Sequence, residues 1–204
     1  PYYPSAGGIQ QVDDRFEEIL ATTIPQLMEP MGQVIQTATV QTNETGRGSI
    51  WLLPLAFTNW KSVELLDLGA SAGLNLLAEQ RCYRFFAADS DQPIVQLGSG
   101  QAEGLTIQAK GMLEPLNKLA AGYSLPEIVS RTGVDLNPFP IDVISDEVRL
   151  TSYVWADQTE RIQRLQKALA ILRQNKTSAA PVKLDKATLP GELPPYLGQL
   201  SDST

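Results

Sequence analysis

Residues 63–77 read Val-Glu-Leu-Leu-Asp-Leu-Gly-Ala-Ser-Ala-Gly-Leu-Asn-Leu-Leu, and this stretch decides the fold. The apolar run that ends at Leu68 predicts a buried β-strand, and the segment from Gly69 to Gly73 predicts a tight turn. The apolar residues that follow predict the start of a helix. A glycine-rich turn at this place lets the backbone approach a ligand and points free amides at it.

The same pattern recurs further along the chain. Residues 127–135 predict a second strand, which Leu-Asn-Pro-Phe-Pro ends sharply, and residues 181–185 predict a third. Helical segments are expected at about 142–153 and 157–175. Strands that alternate with helices are typical of an α/β fold with a parallel sheet.

We predict two regions: an N-terminal helical segment, 1–60, and a Rossmann-like core, 61–204. Residues 82–126 contain short strand-like pieces and are interpreted as a β-rich insertion in that core. Only about three parallel strands are predicted, fewer than open α/β sheets usually carry. We therefore expect the sheet to be incomplete in this chain, with its C-terminal strands lying outside it.

The composition excludes several classes of site and partner. The 204 residues include no histidine, so this chain alone cannot build a Ser-His-Asp triad or a histidine-bound zinc site, and no metal is expected. The single cysteine, Cys82, fits a reducing, cytoplasmic location. A net charge of −7 disfavours nucleic acids and anionic membranes, and no apolar run is long enough to span a bilayer.

The turn at 69–73 is compatible with three kinds of site. Its glycine spacing is wrong for the G-x-G-x-x-G fingerprint of dinucleotide-binding folds. It matches the G-x-S-x-G nucleophile elbow of α/β-hydrolases, with Ser71 as nucleophile, but the required histidine is missing. The spacing of Asp67, Gly69 and Gly73 suits an S-adenosylmethionine site, with Ser71 or Asn75 as polar contacts. A tight connection that serves packing alone is the remaining alternative.

A nucleotide-type cofactor also needs an acid at the tip of the next strand to hold its ribose. Asp89 has the usual distance along the chain but lies in a polar loop, whereas Asp135 lies where the second strand ends. We favour Asp135, although Asp89 is not excluded. Asp185 repeats the pattern on the third strand and is placed to face an adenine amino group, or is simply a solvated acid.

Four motifs in register carry a resemblance to a known family: QTNETGR (41–47), LLDLGASAGLNLL (65–77), GVDLNP (133–138) and VWADQTERIQRL (154–165). Together they resemble an uncharacterised bacterial family, a domain of unknown function, whose core looks like that of class I S-adenosylmethionine-dependent methyltransferases. The resemblance implies a Rossmann-like sheet and a cofactor pocket. Its pocket residues would be Asp67, Gly69, Ser71, Gly73, Asn75 and Asp135.

The resemblance also suggests that a second set of residues crowds the mouth of that pocket. Glu44 and Asp157 are the candidate bases or substrate orienters. The candidate substrate-binding residues are Asn43, Arg47, Trp155, Gln158 and Arg161.

Local structure offers simpler roles for the same residues. Thr42 or Asn43 can cap a helix, Glu44 and Arg47 can form an i,i+3 pair, and Asp157 can cap the helix after it. Trp155 can belong to the core. The basic residues of the 157–175 helix, Arg161 and Arg164 among them, are typical of a solvated face, with an anionic substrate as the alternative.

The sequence therefore predicts an S-adenosylmethionine-dependent methyltransferase that acts on a small molecule or a protein. A non-catalytic module that binds a nucleotide or S-adenosylmethionine is the alternative, and a hydrolase that uses Ser71 is the third hypothesis.

Overall fold

The computed structural model describes residues 2–3, 8–9, 11–41, 44–100, 103–111 and 113–199. The strands, in chain order, are β1 (Ser62–Leu68), β2 (Cys82–Ala87), β3 (Pro93–Leu97), β4 (Glu103–Ala109), β5 (Glu127–Asp135) and β6 (Val182–Lys186). The helices are α1 (Phe16–Gln26), α2 (Met28–Thr37), α3 (Ser49–Leu55), α4 (Glu114–Ala120), α5 (Ile144–Ser152), α6 (Thr159–Asn175) and α7 (Pro194–Gln199).

The first sheet is parallel throughout and has the strand order β1-β5-β6. Asp67 near the end of β1 pairs with Gly133, and Asp135 at the end of β5 pairs with Lys186. The carboxyl ends of the three strands therefore meet at one edge of the sheet. The mixed α/β class with a parallel sheet, expected from the sequence, is confirmed.

The larger apolar cluster lies between helices α5 and α6 and the segments that follow β1 and β5, with Val182 of β6 packed against it. Ile162, Leu165, Leu169 and Leu172 form one stripe of α6, as the sequence spacing predicts, and all four are buried. They pack with Leu74, Leu77, Phe139 and Leu150 in a single apolar cluster. This packing fixes the start of α6 beside the carboxyl edge of the sheet.

A second, smaller sheet has the order β3-β2-β4 and lies in the chain between β1 and β5. Strand β2 pairs antiparallel with β3 and parallel with β4. The inward-facing Tyr83, Phe85 and Leu97 form a second apolar cluster, to which α3 contributes Leu52 and α4 contributes Leu116. The strands predicted within 82–110 are present.

The segment after the glycine-rich turn is a 3₁₀ helix, Leu74–Gln80, and not the expected α-helix. Leu77 has a φ of −116°, which breaks the segment in its middle. The chain reaches β2 at Cys82, so only a short connection fits between the two sheets. Short connections of this kind are the usual place for 3₁₀ geometry.

The N-terminal helical segment begins with two helices, α1 and α2, which meet at Leu27. Neither helix buries a residue. The Asp13 carboxylate, just before α1, accepts hydrogen bonds from the Tyr2 hydroxyl and from Arg15. In the described part of the chain, no helix combines the length and apolar character needed to cross a bilayer.

The last part of the N-terminal segment, before β1, forms only a short helix. A 3₁₀ turn, Thr45–Gly48, leads into α3, which ends at Leu55. Pro54 lies in the last turn of α3, which ends one residue later at Leu55.

Candidate functional site

The turn after β1 bends the chain sharply at the carboxyl edge of the first sheet. Gly69, Ser71 and Gly73 all have left-handed backbone conformations, with φ values of +82°, +53° and +72°. Ser71 is the one non-glycine residue with positive φ among the described residues. Because a left-handed L-residue costs about 1–2 kcal/mol, tertiary contacts must hold Ser71 in this conformation.

Asp135 provides the main contact that fixes this turn. Its Oδ2 accepts a hydrogen bond from the backbone N of Ser71 at 2.8 Å, and its Oδ1 accepts one from the backbone N of Asn137 at 2.8 Å. The Ser71 hydroxyl donates to Gln41 Oε1 at 2.7 Å, and Gln41 Nε2 donates to the Asn137 carbonyl at 3.2 Å. The four residues thus form a closed hydrogen-bonded ring around the turn.

This ring bears on the nucleophile hypothesis for Ser71. The side chain is buried, at 3% exposure, and its hydroxyl faces the amide oxygen of Gln41. An amide oxygen cannot remove a proton at neutral pH, so Gln41 cannot serve as the general base that a serine nucleophile needs. What the arrangement provides is a rigid turn.

A first cavity of about 250 Å³ lies against this turn. It brings together four of the predicted cofactor-binding residues and one predicted substrate-binding residue, Arg47. Its lining consists of Arg47, Ile50, Trp51, Asp67, Leu68, Gly69, Ala70, Ser71 and Asn75.

The charge in the first cavity is centred on Asp67. Burial raises the pKa of its carboxyl above the ordinary value of 3.8, the negative charge of Asp135 raises it further, and Arg47 acts in the opposite direction. A partly buried carboxylate with incomplete compensation gains most from a cationic partner. Arg47 in the same lining supplies part of this compensation for Asp67.

Asn75 lines the first cavity, but its side chain also holds the 45–48 turn. Its Oδ1 accepts from the backbone N of Gly48 at 3.1 Å, and its Nδ2 donates to the Glu44 carbonyl at 3.2 Å. The Trp51 indole donates to the Asn75 carbonyl at 2.9 Å. Asn75 thus fixes the position of the residues on both sides of that turn.

A second cavity, of about 450 Å³, is formed where α6 begins. The Glu44 carboxylate lies 3.4 Å from Arg161 Nε and accepts from the backbone N of Gly46 at 2.9 Å. Arg161 Nη1 also donates to Gln158 Oε1 at 3.2 Å. The lining residues are Glu44, Asp157, Gln158, Thr159, Glu160, Arg161 and Arg164.

The sequence analysis predicts one pocket with a single mouth, whereas the structure has two cavities. The two cavities share the segment around Glu44. The backbone carbonyl of Glu44 meets Asn75 in the lining of the first cavity, while its side chain lines the second. Arg47 lies with the first cavity, and Asp157, Gln158 and Arg161 lie with the second.

Several predicted site residues lie outside both linings, and these are Gly73, Asp89, Asp135, Trp155 and Asp185. Trp155 is 76% exposed and not part of the core. Asp185 is exposed on β6, and Asp89 is exposed in the turn between β2 and β3 of the second sheet. Asn43 lies outside the described residues, so its predicted role stays a prediction.

Of the two candidate ribose acids, Asp135 is the one that contacts the glycine-rich turn. The capping role considered for Asp157 does not occur, because Gln158 is the residue before α6 and no side chain caps that helix end. Instead, the Asp157 carbonyl accepts from the backbone N of Thr159.

Sequence reasoning missed Gln41 and underrated Arg164. Gln41 is the first residue of the QTNETGR motif, and nothing in that motif indicates that its side chain closes a ring with Ser71, since this contact joins segments far apart in the chain. Arg164 follows Arg161 by three residues, and this helical spacing does indicate a shared face. Among the described residues, no group of three acidic, histidine or cysteine side chains is arranged to hold a metal ion.

A protein family described as "Uncharacterized protein conserved in bacteria (DUF2332)" matches residues 1–203. The match covers nearly the whole chain, so the chain belongs to this family, in agreement with the expectation of an uncharacterised bacterial family. No curated protein and no solved structure shows significant similarity to it.

Proposed function

We propose that this member of the DUF2332 family binds S-adenosylmethionine in the first cavity and transfers its methyl group to an acceptor. The observation that carries the proposal is the left-handed turn at 69–73 beside the partly buried Asp67 carboxylate. Ligands of open α/β sheets bind outside the carboxyl ends of the strands, where this turn lies. When bound, the cofactor supplies a methyl group on a sulfonium that is already activated.

The residues of the first cavity fit the amino-acid end of this cofactor. Asp67 offers a carboxylate to its positive charge. The backbone at Gly69 is open, since no atom lies within 4 Å of the place where a Cβ would be. The volume of about 250 Å³ is slightly below the roughly 300–1,000 Å³ of complete small-molecule sites, which suits one end of the cofactor.

Asp135 does not line the first cavity, but it holds the turn that does, and we assign it to the ribose hydroxyls. Each of its oxygens accepts one backbone amide, and a carboxylate oxygen can accept a second hydrogen bond. A dinucleotide is a weaker candidate, because its phosphates need the N-terminus of a regular helix and the turn leads into a 3₁₀ segment. S-adenosylmethionine has no phosphate to place.

The second cavity is the candidate acceptor site. The Glu44 carboxylate is held in one orientation by Gly46 and Arg161, so it can orient an acceptor or accept its proton. Asp157 lies in the same lining as a second candidate. With a net charge of −7, the chain suits a small molecule or a protein better than a nucleic acid.

Calorimetric titration of the full chain with S-adenosylmethionine tests the binding step. We expect saturable binding, and we expect Asp67→Asn to weaken it at least ten-fold because the charge opposite the ligand is lost. Asp91→Asn, at an exposed turn position, is the matched control and should bind as the wild type does. Absence of binding, or equal binding by both variants, would refute the cofactor assignment.

Methyl transfer from isotope-labelled S-adenosylmethionine into a cell extract tests the catalytic step. We expect incorporation with the wild-type chain and a loss of at least ten-fold with Glu44→Gln, while cofactor binding is retained. Binding without any transfer would favour the non-catalytic module.

A further inference from the structure

Arg164 points to a ligand chemistry for the second cavity. Its side chain is 22% exposed, and its Nε is buried without a hydrogen-bond acceptor in the described part of the chain. The carboxylate paired with it belongs to Glu160, which lies 3.9 Å from Nη1 and is 91% exposed. A pair so long and so exposed compensates a buried guanidinium only weakly.

Arg161 lies three residues earlier in α6 and lines the same cavity. Its guanidinium contacts the Glu44 carboxylate and the Gln158 amide oxygen, so its orientation is fixed. Residues three apart share a helix face, and both guanidinium groups therefore border one space.

The lining holds three carboxylates beside the two guanidinium groups, but only the exposed Glu160 is paired with Arg164. Glu44 is already engaged by Arg161 and by the backbone N of Gly46. Asp157 and Glu160 are exposed, and exposed carboxylates are well screened by water. Arg164 therefore keeps a weakly compensated guanidinium, and its buried Nε has no hydrogen-bond acceptor in the described part of the chain.

We propose that the second cavity binds the carboxylate or phosphate group of a small molecule, with Arg164 as the principal anchor and Arg161 beside it. Guanidinium groups hold such oxyanions through paired, charge-assisted hydrogen bonds. A cavity of about 450 Å³ leaves room for the rest of a small molecule. That this molecule is the methyl acceptor rests on the proposed function, whereas the anion site does not.

Calorimetric titration of the full chain in a low-salt buffer without phosphate or carboxylate tests the site. The probes are inorganic phosphate and succinate, with spermidine as the cationic control. We expect at least one of the two anions to bind and spermidine not to bind. The comparison between phosphate and succinate shows which oxyanion the site prefers.

Variants locate the binding. Arg164→Gln should lower the association constant for the preferred anion about ten-fold, and Arg164→Lys should lower it less because the charge remains. Lys167→Gln removes an exposed charge from the same helix and should change the constant less than two-fold. If circular dichroism shows that Arg164→Gln does not fold, the association constant of Arg164→Lys for the preferred anion is the deciding measurement.

The proposal is overturned if neither anion binds, if spermidine binds in their place, or if the Arg164 variants bind as Lys167→Gln does. A titration of the same sample with S-adenosylmethionine separates the two proposals. Anion binding without cofactor binding would remove the acceptor assignment and leave the anion site in place.

Discussion

At the scale of single residues, Gly69 and Gly73 have the same left-handed backbone but different surroundings. A Cβ at Gly73 would lie 2.7 Å from Val182 Cγ1 and 3.2 Å from Leu184 Cδ2, whereas a Cβ at Gly69 would meet nothing within 4 Å. We predict that Gly73→Ala lowers the free energy of unfolding by about 2–4 kcal/mol, from backbone strain and overpacking together. Gly69→Ala should cost only about 1 kcal/mol. Urea denaturation of both variants is the measurement, and equal losses would contradict this geometry.

The Asp67 carboxyl gives a prediction about pH. Its pKa is raised in the folded state by burial and by Asp135, so its ionised form destabilises the fold at neutral pH. Asp67→Asn should therefore raise the melting temperature at pH 7, by on the order of 2 °C. The gain should vanish as the pH falls through the folded-state pKa towards 3.8, because wild-type Asp67 is then also neutral.

Melting curves of both proteins between pH 7 and pH 3.5 measure this difference. The exposed Asp91→Asn variant should show no comparable gain at pH 7. A pH-independent difference for Asp67→Asn would show that packing, not charge, is responsible.

At the scale of elements, Arg131 joins β5 to the two segments that flank it. It is buried and donates to the carbonyls of Leu76 and Ala180, and its Nη2 lies 2.5 Å from Glu79 Oε1. We predict that Arg131→Met lowers the free energy of unfolding by about 3–5 kcal/mol, because it leaves a buried carboxylate unpaired. Lys118→Met, which breaks the exposed pair with Glu114, should cost less than about 1 kcal/mol.

Chemical denaturation of Arg131→Met and Lys118→Met compares the buried pair with the exposed one. Similar midpoints for the two would mean that Arg131 contributes through its aliphatic stem and not through its charge.

The elements that could be predicted from the sequence are those with long, regular patterns. The stripe of one isoleucine and three leucines on α6 fits only a helix, and the apolar run before Gly69 fits only a strand. The 3₁₀ segment could not be predicted, because its apolar residues divide between two clusters and fit no single helical face. Leu74 and Leu77 pack towards α6, whereas Ala78 packs towards the second sheet.

The candidate site could likewise be predicted only where its residues belong to one local motif. Asp67, Gly69 and Ser71 come from one local motif and do line one cavity. The contact between Glu44 and Arg161 and the buried Arg131 depend on how distant segments meet, which periodicity does not encode. For the same reason, the sequence predicted one mouth where the structure has two cavities.

At the scale of the whole molecule, the 3₁₀ segment joins the two apolar clusters. It supplies residues to both, and the buried Arg81 just after it donates to the Leu74 carbonyl at 3.2 Å. Tyr83 on β2 donates in turn to the Thr45 carbonyl, which belongs to the turn beside both cavities. The second sheet therefore supports the candidate site although it contributes no lining residue.

This connection predicts that a destabilising substitution in the second sheet also destabilises α6. Leu97 is completely buried in the second cluster, so Leu97→Ala should lower the free energy of unfolding by about 2–5 kcal/mol. If the clusters unfold together, the slowest-exchanging amides of α6 should then exchange about 30-fold faster or more. Hydrogen exchange followed by mass spectrometry measures this, with Leu197→Ala at an exposed position of α7 as the control. Faster exchange confined to β2, β3 and β4 would mean that the two sheets unfold independently and that the second does not support the site.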